Sequence, residues 1–105
     1  MEFKINDRGE TIRNIVRKIG YVLQDVVGDN GQYSLVREIN KGNRYPRFHI
    51  YLKKDEENKW FVFDLHLDQK SASYEKSKTH AHSGEYRGEI VEKEAGRIKN
   101  ILENS

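Results

Sequence analysis

Residues 47–68 read RFHIYLKKDEENKWFVFDLHLD, and the fold is decided here. Phe48, Ile50 and Leu52 alternate with Arg47, His49, Tyr51 and Lys53, while Phe61, Phe63, Leu65 and Leu67 alternate with Trp60, Val62, Asp64, His66 and Asp68. A period of two places every second side chain on one face, so each run reads as a strand with a dry side and a wet side. The link Asp55-Glu56-Glu57-Asn58-Lys59 is short and polar, which predicts antiparallel pairing of Arg47–Lys53 with Trp60–Asp68.

Upstream, Tyr21–Val27 and Gln32–Ile39 are rich in β-branched and aromatic residues, and Gly28-Asp29-Asn30-Gly31 between them suits a turn. They predict a hairpin, although the adjacent apolar residues Val22 and Leu23 leave its faces unassigned. Lys41-Gly42-Asn43-Arg44 makes a second break, and Pro46, which cannot donate to a ladder, marks the entrance to the next strand. Ile12, Ile15, Val16 and Ile19 recur at helical spacing, with Asp7 and Glu10 placed to favour a helix start and Gly20 a stop. Gln69–Gly84 shows no apolar period and reads as a long loop. A second helix is predicted from about Glu85 to Leu102 on the stripe Ile90, Val91, Ala95, Ile98, Ile101 and Leu102, with Glu92 and Glu94 as surface charges. The order is α-β-β-β-β-α. One apolar stripe per helix predicts an α+β fold, a four-stranded antiparallel meander with N- and C-terminal helices packed on one face, forming a single domain over residues 1–105.

The chain has 105 residues, 35% hydrophobic and 34% charged, enough for one modest core. No cysteine is present, which removes disulfides, thiolate zinc sites and thiol nucleophiles. No membrane span or signal-peptide stretch is visible, so a cytoplasmic location is expected. Phosphate-binding glycine loops, dinucleotide fingerprints and the serine-hydrolase elbow are missing, which leaves the enzymes built on them without support. Lys and Arg number 19 against 17 Asp and Glu, but residues 1–54 carry 11 basic and 6 acidic side chains and residues 55–105 carry 8 and 11.

That asymmetry motivates the first functional expectation, a binding module for single-stranded RNA or DNA. Arg13, Arg17 and Lys18 on the first helix, with Arg37, Arg47 and Lys53, would follow phosphates, while Tyr45, Tyr51 and Trp60 would stack on bases. The second is histidine chemistry. His49 and His66 share facing parity and would act as general base and acid on a phosphodiester, with Arg47 or Lys70 stabilising the developing charge. In an extended loop His80 and His82 would point the same way and, with His66 and Asp68, offer nitrogen and oxygen ligands to a divalent metal ion. Ser71, Ser73 and Ser77 lie near histidines, but no spacing singles one out as a nucleophile. The third expectation is a protein–protein or homodimer module using the patch of Tyr51, Trp60 and Val62.

Overall fold

The computed structural model describes residues 1–27, 31–69 and 80–104. Five strands and two helices follow in the order β1 (Glu2–Asn6), α1 (Ile12–Ile19), β2 (Val22–Val27), β3 (Gln32–Glu38), β4 (Arg47–Asp55), β5 (Trp60–Asp68) and α2 (His80–Glu103). The fold is α+β, with every strand antiparallel to its neighbours in one sheet of spatial order β1-β5-β4-β3-β2.

The four-stranded expectation is therefore corrected to five. β1 is short, but its Glu-Phe-Lys-Ile-Asn alternates, burying Phe3 and Ile5 and exposing Glu2, Lys4 and Asn6. It pairs with β5, Phe3 opposite Phe63 and Ile5 opposite Phe61. The Phe3 and Phe63 rings stack with centroids 5.0 Å apart.

The predicted dry face is the observed one: Phe48, Ile50, Leu52, Phe61, Phe63, Leu65 and Leu67 are all buried. Both helices cover it, α1 through Ile15, Val16 and Ile19 and α2 through Val91, Ala95, Ile98 and Leu102. α1 starts differently from the expectation. Thr11 is its N-cap, accepting the Asn14 N–H at 3.1 Å, whereas Asp7 accepts the Gly9 N–H and pairs with Lys54. Gly20 ends the helix in the left-handed conformation, φ 79°, as its position predicts.

Two further expectations change. The predicted loop over residues 69–84 ends sooner, because α2 begins at His80 rather than Glu85. Backbone hydrogen bonding propagates a helix once it is nucleated, with or without an apolar stripe to announce it. Residues 70–79, including Lys70, Ser71, Ser73 and Ser77, lie outside the described residues, as do Gly28, Asp29 and Asn30 of the first turn. Glu94 is not a surface charge but is buried to 5% exposure, since it sits three residues after Val91 and four before Ile98 on the apolar stripe. Its carboxylate accepts from the Tyr21 hydroxyl at 2.7 Å and from two Arg97 nitrogens at 2.9 Å, and Arg37 lies at 3.5 Å. Arg97 also donates to the Ile19 carbonyl at 2.7 Å, so one cluster ties α2 to the end of α1. A buried charge is tolerable when paired and hydrogen-bonded in this way.

Candidate functional site

Among the described residues neither helix covers the other sheet face, and the register determines what meets there. The turn at residues 56–59 sets Asp55 opposite Trp60. Its geometry is held by Asn58, whose backbone N–H and side-chain amide both donate to the Asp55 carboxylate and keep that carboxyl below its ordinary pKa. Counting back from the turn, Lys53 lies opposite Val62, Tyr51 opposite Asp64, His49 opposite His66 and Arg47 opposite Asp68. The two histidines singled out in the sequence are thus direct cross-strand partners.

His49 is held at both ring nitrogens. Nδ1 lies 3.0 Å from Asp68 Oδ2 and Nε2 lies 2.8 Å from Ser34 Oγ, while Ser34 also reaches Gln24 Oε1 at 3.2 Å. Arg47 donates to the same Asp68 oxygen at 3.3 Å. The His49 side chain is only 13% exposed. His66 is the open member of the pair, 42% exposed with Nε2 3.3 Å from Asp64. Tyr51 touches both rings, its centroid 4.6 Å from His49 and 6.0 Å from His66.

Ser34, His49 and Asp68 follow the order of a nucleophile, base and orienting acid. Their surroundings do not complete that chemistry. Ser34 is buried, and its strand is paired on both sides by β2 and β4, which commits the nearby backbone N–H groups to ladders rather than to an oxyanion. The arrangement holds the His49 ring in place instead. Sequence reasoning missed Ser34 because its approach to His49 depends on the β3–β4 register, set across a long connection.

The proposed phosphate-contacting residues do not share one surface. Arg47, Tyr51, Lys53 and Trp60 stand on the open sheet face, whereas Arg13, Arg17 and Lys18 are on α1, which packs on the opposite face. Arg37 points inward to Glu94, and Lys18 pairs with Glu10. Arg47 is committed to Asp68 and lies over the Tyr45 ring, 4.8 Å from its centroid. On the open face, Lys4 and Lys53 flank Val62 in one cross-strand row, between the rows of Trp60 and Tyr51. Neither lysine has an ion-pair partner among the described residues.

His80 and His82 stand on helical backbone. Residues two apart on a helix lie on different faces, unlike those of the extended segment expected, and their side chains are outside the described residues. Among the described residues no group of three or more His, Asp and Glu side chains is placed to hold a metal ion. No helix among them is long and apolar enough to cross a membrane. In comparisons with protein-family models, curated proteins and solved structures, nothing matches this chain.

Proposed function

We propose that the open sheet face is a binding platform for a short single strand of RNA or DNA. The observation that carries this reading is the row Lys4–Val62–Lys53 between Trp60 and Tyr51: two cations without ion-pair partners among the described residues, set between two aromatic rings on a face the helices leave bare. Trp60 and Tyr51 stand four residues apart in register, about 14 Å at the rise of an antiparallel strand. They supply stacking, worth about 1–3 kcal/mol per base, and the lysines supply phosphate contacts.

The charge pattern bounds the strength. Glu2, Asp25, Glu38, Asp55, Asp64 and Asp68 share this face with Lys4, Arg47 and Lys53, so a long polyanion gains little from it. Two phosphate contacts give a logarithmic salt slope of about −1.4 for a single strand, far shallower than the concentration of basic residues in the first half of the sequence suggests. Stacking on two rings with two phosphate contacts corresponds to dissociation constants of roughly micromolar to millimolar.

The test is fluorescence anisotropy of labelled ten-nucleotide strands of RNA and DNA at low salt. Tyr51→Ala and Trp60→Ala should each weaken binding by about 5- to 150-fold, the equivalent of one lost stack. Absence of binding at millimolar protein, or affinity indifferent to both substitutions, refutes the reading. The second reading, acid–base cleavage, draws on the direct pairing of His66 with an anchored His49. The same strands, incubated and sized, test it: cleavage that disappears in His66→Ala supports it, and intact strands dismiss it.

A further inference from the structure

We propose that the groove between α1 and β2 docks a short acidic and apolar segment of a partner protein. β2 is the outermost strand on its side of the sheet and carries exposed apolar residues: Val22, opposite Val36, on the open face, and Leu23 at 46% and Val26 at 52% on the other. Leu23 and Val26 register with Leu35 and Tyr33, which puts them on the helix-covered side of the sheet. There Ile12, Val16, Leu23 and Tyr33 line a cavity of about 530 Å³ with Arg13 and Arg17. An exposed apolar edge beside a groove of this size is the kind of surface that a partner covers.

Charge decides which partner. Among the described residues Arg13 makes no ion pair, and Arg17 donates only to the neutral amide oxygen of Asn14, at 2.8 Å. No carboxylate is among the described residues that line the groove. Two arginines beside an apolar floor call for carboxylates flanking Leu-, Ile- or Phe-like side chains, and guanidinium groups bind carboxylates in paired geometry. A second copy of this chain fits poorly. Antiparallel joining of two β2 edges would bring both α1 helices to one side of the combined sheet and set their arginines against one another. A nucleic acid would meet the arginines but leave the apolar floor unfilled. The Val26 N–H is already bonded to the Asp25 carboxylate at 2.8 Å, so recognition comes from side chains in the groove rather than from a full added ladder.

A displayed library of random twelve-residue peptides, selected on the full chain, tests this. Enriched peptides should carry Asp or Glu within a few positions of a large apolar residue. The best one, titrated as a labelled synthetic peptide, should bind at least tenfold more weakly to the Arg13→Glu/Arg17→Glu variant and to Leu23→Asp. Replacing its acidic residues with lysine should restore binding to the charge-reversed variant, which a merely unfolded protein cannot show. Tyr51→Ala and Trp60→Ala, on the other face, should leave the peptide affinity unchanged, so this site and the nucleic-acid platform fail independently. Any of four results overturns the proposal: no enrichment, enrichment without acidic residues, a dimer abolished by Leu23→Asp, or single-strand binding abolished by the arginine reversals.

Discussion

The Tyr21 hydroxyl donates to a carboxylate that Arg97 also holds, in a place closed to water. Burial, and then the hydrogen bond and charge of Glu94, push the phenol far above its ordinary pKa, more than Arg97 and Arg37 pull it down. The folded state therefore keeps a proton that the unfolded chain releases near pH 10, so this contribution is complete below that pH and is lost as pH rises beyond it. Denaturant midpoints measured from pH 8 to pH 11 should fall steeply in the native protein and less steeply in Tyr21→Phe. Equal slopes would remove the linkage. At the site, the same scale separates two histidines of similar sequence context: His49 is fixed by Asp68 and Ser34, and His66 stays open to solvent. That difference was not legible beforehand, because both stand at alternate positions of equally regular strands. Glu94 was partly legible, for its spacing from Val91 and Ile98 already placed it on the buried stripe.

Among the elements, β4 and β5 were readable because alternation over seven and nine residues leaves only one choice of face, and the short polar link leaves only one direction of pairing. β1 escaped because its five residues hold only two apolar positions, and its partner is β5, about 60 residues away. The register that brings Ser34 to His49 escaped for a related reason. β3 and β4 are joined by residues 39–46, too many to fix a register as a tight turn does. In α2, Gly96 lies exposed in mid-helix, and a Cβ built there meets nothing within 4 Å. Gly96→Ala should raise stability by about 0.5–1 kcal/mol, since it costs no packing and restrains the unfolded chain. Urea denaturation checks this, and an unchanged or lower midpoint would mean that the backbone needs glycine there.

At the scale of the whole molecule, the sheet has a closed side and an open side, and the basic residues of the first half of the sequence are divided between them. α1 takes Arg13, Arg17 and Lys18 to the helix side while β4 keeps Arg47 and Lys53 on the other, so half-chain charge does not translate into a charged face. The closed side depends on β1 as much as on the hairpins. Phe3 lies in the core against Phe63, and Phe3→Ala should cost about 3–5 kcal/mol, a large part of the 5–15 kcal/mol typical of a small domain. The urea midpoint should drop sharply with its slope preserved; a small change would show β1 to be a peripheral addition. The dry side of β4, of β5 and of each helix is legible in the sequence, because side-chain period is a local property of the backbone. Long-range packing supplies the rest: β1 closes beside β5, Ser34 and Asp68 hold His49, and Glu94 joins Tyr21 to Arg97. Each of these joins residues 15 or more positions apart, and such partners are chosen by the packing of the whole core rather than by any local pattern.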